Sequence, residues 1–281
     1  MALAQYDDPA WCEREYNART TVPDVLEIIG RWPALAAGTR ARLPHEPDVA
    51  YGPHPRQTMD IFRAERPRGA CMFVHGGYWR ALSKAEFSWI SAGLVANGIS
   101  AAIVNYPLCP EVTVADITAG CRAAVATLWQ RLSEPERGGF VIAGHSAGGY
   151  IVADAFCTEW GRFGLPAEPF AGGLAISGVF ELAPLLRTSM NAEIRMSPAE
   201  AEAWSLHAAR PVLKAPVVFA LGGAESAEFH RQSAHQHRLW AGNVRPLLVL
   251  EDRNHFDVLD SFRQTPSALV DAVTDLALSR A

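Results

Sequence analysis

The chain has 281 residues, of which 49% are hydrophobic and 20% charged, enough apolar material to bury the core of one large α/β domain spanning residues 1–281. Its 25 Lys and Arg against 30 Asp and Glu leave a net charge of −5, so there is no basic footprint for nucleic acid or an anionic membrane, and a small, nearly neutral molecule is the expected partner. The start of the chain lacks a cationic region ahead of an apolar core, no apolar run reaches spanning length, and the five scattered cysteines show no C-x-x-C spacing. A reducing, cytoplasmic compartment without disulfides or structural zinc is therefore expected.

Residues 1–46 carry Trp11, Tyr16, Val22, Val25, Leu26, Ile28, Ile29 and Trp32 in a helical-looking segment that closes in a run rich in Ala, Gly and Pro. It is read as packed on the core, with one edge placed as a lid. Residues 48–51 and 57–62 are short β-rich runs on either side of Gly52-Pro53-His54-Pro55, a hairpin-like opening of a mixed sheet. The next apolar strand runs into His75-Gly76-Gly77-Tyr78-Trp79. Two peptides without Cβ atoms at the end of a strand let a backbone N–H face a reacting carbonyl, which is the logic of an oxyanion loop.

Ser83-Lys84-Ala85-Glu86 is a capping box for a helix with Phe87, Ile90 and Leu94 on one face, stopped at Asn97-Gly98. A further strand at 99–104 ends in Asn105-Tyr106-Pro107-Leu108-Cys109-Pro110. Thr113 with Asp116 then opens a helix whose Val114, Ile117, Cys121, Val125 and Leu128 keep a three-and-four rhythm, so Cys121 is read as core. Ser133-Glu134-Pro135 ends that helix.

The sharpest signal follows. An apolar run, too short for a helix, feeds into Gly144-His145-Ser146-Ala147-Gly148, and an Ala/Ile/Val-rich segment of helical spacing follows at once. Strand, tight turn and helix in that order, with G-x-S-x-G at the turn, make a nucleophile elbow that pushes a serine Oγ out of the sheet. Later strands are read at 172–177, 216–221 and 246–250, and their alternation with helices predicts a mostly parallel sheet wrapped on both faces. Residues 180–210 interrupt the alternation with a helical excursion, started by Ser197-Pro198-Ala199-Glu200, over the C-terminal edge of the sheet.

A serine alcohol needs a base, and the base needs an anion to fix its tautomer. Of nine histidines only His255 follows the last predicted strand, which matches the order serine, acid, histidine. Glu225 is the first carboxylate beyond the strand ending at Leu221 and is favoured over Glu228, Asp252 and Asp257 on loop order. His54, His75, His145 and His207 are read as structural or loop residues. His230, His235 and His237 lack a fourth ligand and a common helix face, and no G-x-G-x-x-G or phosphate loop occurs, so neither metal nor cofactor is expected.

Taken in order, His75-Gly76-Gly77-Tyr78-Trp79, Asn105-Tyr106-Pro107-Leu108-Cys109-Pro110, Gly144-His145-Ser146-Ala147-Gly148-Gly149, Ser177-Gly178-Val179-Phe180-Glu181-Leu182, Glu225-Ser226-Ala227-Glu228-Phe229 and Asn254-His255-Phe256 resemble the kynurenine formamidase (arylformamidase) branch of the α/β hydrolases. The resemblance implies the α/β-hydrolase fold and hydrolysis of an N-formyl group on an aromatic amine, a step of tryptophan catabolism. It implies Ser146, Glu225 and His255 as a triad, with Glu225 standing where relatives often carry Asp. Oxyanion donors would be backbone N–H groups of Gly76 or Gly77 and of Ala147. Tyr78, Trp79, Tyr150, Phe180, Asn191 and Phe256 are the candidate wall of an aromatic-ring pocket. Two alternatives stand beside this reading: a broad-range carboxylesterase, and a non-catalytic binding protein on the same fold, although no triad member is missing. The expected partner is a small aromatic amide or ester, with a homodimer as the form of self-association to test.

Overall fold

The computed structural model describes residues 4–263 and 266–279. Eight strands form one sheet in the order β1-β2-β4-β3-β5-β6-β7-β8. They are β1 (His45–Ala50), β2 (Thr58–Phe62), β3 (Gly69–Val74), β4 (Ile99–Val104), β5 (Phe140–His145), β6 (Gly172–Ile176), β7 (Val217–Gly222) and β8 (Leu248–Leu250). β2 runs antiparallel to both β1 and β4, and the remaining pairings are parallel. The hairpin-like opening is thus present, though β1 begins earlier than the alternation suggested and slips register between Glu46 and Val49. From β3 to β7 the parallel strands are buried along their whole length, which is why they read as continuous apolar runs instead of alternating ones.

The α-helices are α1 (Pro9–Tyr16), α2 (Val25–Arg42), α3 (Ile90–Ala96), α4 (Val114–Arg131), α5 (Glu134–Gly138), α6 (Ala147–Phe156), α7 (Asn191–Ile194), α8 (Pro198–Trp204), α9 (Ala227–Leu239) and α10 (Ala268–Leu278). Two adjacent glycines in β6 show how they cover the sheet. A Cβ on Gly172 would meet Leu276 of α10 at 2.6 Å, and one on Gly173 would meet Phe156 of α6 at 2.6 Å. Successive residues of a strand face opposite sides, so α10 and α6 lie on opposite faces, packed too closely for any side chain between. α3 packs beside α10, and α4 beside α6.

The caps behave largely as their sequences require. Thr113 and Asp116 close a reciprocal box at the start of α4, and Ser197 and Glu200 do so at α8, with Pro198 as its first residue. Ser83 and Glu86 also form their box, but the helix expected from it is split into a single 3₁₀ turn and then α3. Ser133 follows the end of α4 and at once opens α5, its Glu136 partner lying 3.2 Å from Arg63.

The N-terminal segment is docked by a buried charge. Glu228, on α9 and 2% exposed, accepts from the hydroxyls of Tyr16 at 2.9 Å and Tyr6 at 3.2 Å, from Gln232 Nε2 at 2.8 Å and from Arg231 Nη2 at 2.8 Å. Beside it, the Ser226 hydroxyl donates to the Glu15 carbonyl at 2.7 Å. A carboxylate withdrawn from water is tolerable only with such a full set of donors, and deleting it removes the one acceptor that all four share. Glu228→Ala is therefore expected to cost about 3 kcal/mol and to expose the first forty or so residues to limited proteolysis while the sheet stays protected. Unchanged melting and an unchanged digestion pattern would show that the segment is held by its apolar contacts alone.

Candidate active site

Five loops at the C-terminal ends of β3, β5, β6, β7 and β8 converge on one edge of the sheet. At the end of β5, Ser146 sits at φ 56°, ψ −115°, a backbone conformation that L-residues adopt only when their surroundings force it. The surroundings are backbone. A Cβ on Gly148 would lie 1.9 Å from the Val74 carbonyl, and one on Gly144 would lie 2.2 Å from the Gly148 carbonyl, so both positions admit only glycine. The sharp turn predicted from the sequence is thus produced by α6 pressing onto the ends of β3 and β5.

Glu225, beyond β7, has a fully buried side chain and reaches His255 Nδ1 at 2.7 Å through Oε2. Its other oxygen accepts from the Ser177 hydroxyl at 2.5 Å and from the Gly222 N–H at 2.7 Å. The extra methylene of Glu relative to Asp therefore still delivers the carboxylate to the imidazole. A carboxylate on Nδ1 fixes the tautomer and leaves Nε2 as the atom able to take a hydroxyl proton. His255 is 4% exposed, with Phe229 at 4.4 Å and Phe256 edge-on at 5.3 Å between ring centroids. Asp257 and Asn254 lace the turn that carries it, Asp257 accepting from the Asn254 N–H at 2.6 Å and Asn254 from the Phe256 N–H at 2.8 Å. Asp257 serves the loop and Glu228 serves the N-terminal segment, so neither competes with Glu225 for the imidazole.

Two histidines read as structural prove to brace this edge. His145 donates from Nε2 to the His255 carbonyl at 2.7 Å. His75 donates from Nδ1 to the Gly76 carbonyl at 2.7 Å and lies stacked between Phe87 and Tyr106, at 5.5 and 4.2 Å. The Tyr106 hydroxyl donates to the same Gly76 carbonyl at 3.0 Å and to that of His75 at 2.9 Å. With its C=O held on one side by two donors, the trans peptide between Gly76 and Gly77 must aim its N–H the other way. Gly77, at φ 109°, lines the cavity containing Ser146, whereas Gly76 packs on the elbow itself. Among the described residues, the N–H groups of Gly77 and Ala147 have no backbone acceptor.

That cavity, of about 150 Å³, is lined by Ser146, His255, His145, Gly77, Tyr78 and Phe256, together with Ala18, Ile29, Trp32 and Met190 among others. Four of the six side chains expected to form the aromatic wall are elsewhere. Trp79 is fully buried beneath the loop, edge-on to Tyr150 at 5.4 Å, and Tyr150 spends its hydroxyl on the Trp204 carbonyl at 2.9 Å. Phe180 is core against Phe219 at 5.8 Å. Asn191 ties its own turn together, accepting from the Met196 N–H at 2.9 Å and donating to that residue's carbonyl at 3.1 Å. The missing wall comes from the N-terminal segment, whose Trp32 lies on the buried stripe of α2 and was indistinguishable in sequence from a core residue. His230, His235 and His237 each face a different backbone carbonyl, at 3.1, 2.7 and 3.1 Å, and no metal-holding group of His, Cys, Asp and Glu is found among the described residues.

A serine on a strained strand-to-helix turn, an imidazole on a buried carboxylate, and an eight-stranded mostly parallel sheet define the architecture of an α/β hydrolase. The chain belongs to that family, whose sequence profile, described as the alpha/beta hydrolase family, matches residues 71–279. The protein is a hydrolase, and its extended likeness is to kynurenine formamidases. That of Salmo salar is 26% identical over 260 residues, covering 88% of this chain and 87% of that protein. That of Danio rerio is 26% identical over 269 residues, covering 91% and 88%. A solved structure from a Silicibacter species, described as a candidate thioesterase, superposes with a TM-score of 0.84 at 30% identity over 93% of this chain and 98% of that one.

Burial holds both bracing histidines neutral, pushing His75 down to about 4 and His145 well below its ordinary range. Between roughly pH 4 and 6.5 the unfolded chain binds protons at these positions that the folded chain does not, so stability rises with pH across that window. Melting temperature measured from pH 4 to 7 should climb, and His75→Gln should flatten the climb. Ser177→Ala, which removes one of the donors to Glu225, should lower kcat on the order of tenfold with little change in KM. A KM effect alone would place Ser177 with the substrate.

Proposed function

We propose that the protein hydrolyses an N-formyl, or short N-acyl, aromatic amine through an acyl-enzyme on Ser146. His255 takes the Ser146 proton as the hydroxyl attacks the formyl carbonyl, and Glu225 balances the imidazolium that forms. The Gly77 and Ala147 N–H groups receive the oxyanion. His255 then returns the proton to the departing amine nitrogen, water attacks the formyl-serine with the same base, and formate leaves. The observation that carries this reading is one cavity holding Ser146, His255 and Gly77 within walls of Trp32, Tyr78 and Phe256. Its volume of about 150 Å³ is that of a space able to take one benzene-sized ring. The formamidases of Salmo salar and Danio rerio, similar along nearly their whole length, support the choice of an amide. Five free cysteines, four of them buried, support a cytoplasmic setting.

A broad-range carboxylesterase is the second reading, favoured by a likeness over 48% of the chain to the esterase LipC of Mycobacterium tuberculosis, 29% identical over 152 residues. The two differ in the leaving group. A phenolate departs from an activated ester with little proton assistance, but an aniline departs only when protonated and held in place. Formanilide-type substrates should be preferred in kcat/KM over alkyl esters of similar size by at least about a hundredfold. Equal or reversed preference would make the protein an esterase. Ser146→Ala and Glu225→Gln should each reduce turnover of both substrate types by several orders of magnitude in a folded protein, and labelling by a fluorophosphonate at another serine would remove Ser146 from the mechanism.

A further inference from the structure

His145 has a ring nitrogen that its bracing role does not use. Its Nε2 lies 2.7 Å from the His255 carbonyl oxygen, which can only accept, so Nε2 carries the ring proton. Burial, reinforced by the neighbouring His255, keeps the ring neutral, and a neutral imidazole protonated on Nε2 bears a bare lone pair on Nδ1. Among the described residues nothing donates to that atom, yet it is not sealed off. His145 is only 3% exposed, and the accessible edge of Nδ1 belongs to a residue that lines the cavity holding Ser146. Two distances place it beside the proposed reacting groups. A Cβ on Gly76 would lie 3.0 Å from the Ser146 Cβ and 3.1 Å from His145 Nδ1, so both atoms flank the point that the missing side chain of Gly76 leaves open. The His145 and His255 rings are 4.7 Å apart between centroids.

An ester offers this acceptor nothing, because its bridging oxygen carries no hydrogen and turns a lone pair toward a lone pair. A secondary anilide differs. Once the hydroxyl has added to the carbonyl, the nitrogen holds one hydrogen and one lone pair. The lone pair takes the proton from His255 Nε2, the C–N bond breaks with its electron pair passing to nitrogen, and the amine leaves with two hydrogens. The transfer requires the lone pair to face His255 and the existing N–H to face away, and an acceptor for that N–H holds the nitrogen in this orientation. A site built to hydrogen-bond a substrate N–H rejects the analogue that lacks it, because its own polar group is then left unpaired. We propose that His145 Nδ1 accepts the N–H of the scissile amide, which makes His145 a residue selecting secondary anilides over esters. This rests on the anilide-hydrolysing reading above and assigns a residue to its specificity.

Gln and Asn divide the imidazole between them. His145→Gln places an amide nitrogen near the Nε2 position, keeping a donor for the His255 carbonyl and deleting the acceptor; His145→Asn places its oxygen near the Nδ1 position, keeping the acceptor and deleting the donor. Both variants and the wild type are assayed on formanilide and phenyl acetate. In His145→Gln the formanilide to phenyl acetate ratio of kcat/KM should fall at least about tenfold. His145→Asn should lose activity on both substrates, through the lost brace, and keep the ratio near that of the wild type. Because the readout is a ratio within one protein, a general loss of activity does not imitate it. An unmoved ratio in His145→Gln, or an equal fall in both variants, overturns the assignment and leaves His145 as a brace alone. Should neither variant fold, the wild type decides: N-methylformanilide, which lacks the hydrogen, should fall at least about tenfold below formanilide in kcat/KM, and equal turnover of the two overturns the assignment. Turnover of phenyl acetate with none of formanilide would remove the anilide reading and this assignment together, whereas formanilide turnover with an unmoved ratio removes the assignment only.

Discussion

The whole site depends on backbone packed against backbone at the start of α6. With Gly148 against the Val74 carbonyl and Gly144 against Gly148, the first turn of that helix is pressed onto the ends of β3 and β5 more closely than any side chain allows. The chain between has no relaxed path, and Ser146 takes the strained conformation that results, at a cost of about 1–3 kcal/mol. The same contact brings the loop after β3 beside Ser146. The proposed nucleophile and the proposed oxyanion donor are neighbours because two strand ends and one helix end cannot be separated.

Around that fixed point the protein manages charge by two opposite rules. Buried carboxylates are kept and saturated with donors, as at Glu225 and Glu228. Buried imidazoles other than His255 are kept neutral and used as directional donors to carbonyls, His75 to Gly76 and His145 to His255. Neutral donors orient the loops without placing a second positive charge next to the imidazolium that catalysis would create.

Much of the fold was legible because it rests on local signals: the capping pairs Thr113/Asp116 and Ser197/Glu200, the apolar strands, and the G-x-S-x-G turn. The proposed acid was legible because loop order in a parallel sheet is also spatial order, and Glu225 is the first carboxylate after its strand. The ring wall was not. Trp32 belongs to an ordinary amphipathic stripe, and whether such a stripe meets a sheet or a cavity depends on how α2 is docked, which no local pattern encodes. Trp79, Tyr150 and Phe180 were misplaced for the converse reason: an aromatic next to a motif in sequence points into the core as readily as into the site.

The stretch from Glu225 to Phe229 carries two tasks at once. Glu225 grips His255, Phe229 packs on the imidazole, and between them Ser226 and Glu228 fasten the segment that supplies Ala18, Ile29 and Trp32 to the cavity. The proposed acid and the anchor of the N-terminal segment thus share one foundation at the start of α9. Exchanging the N-terminal segment for another would alter more than the shape of the pocket, because the graft must also satisfy a buried charge one helical turn from the proposed catalytic acid. Evolution of new substrates in this lineage is therefore easier through substitutions on the inner face of α2 than through replacement of the segment that carries it.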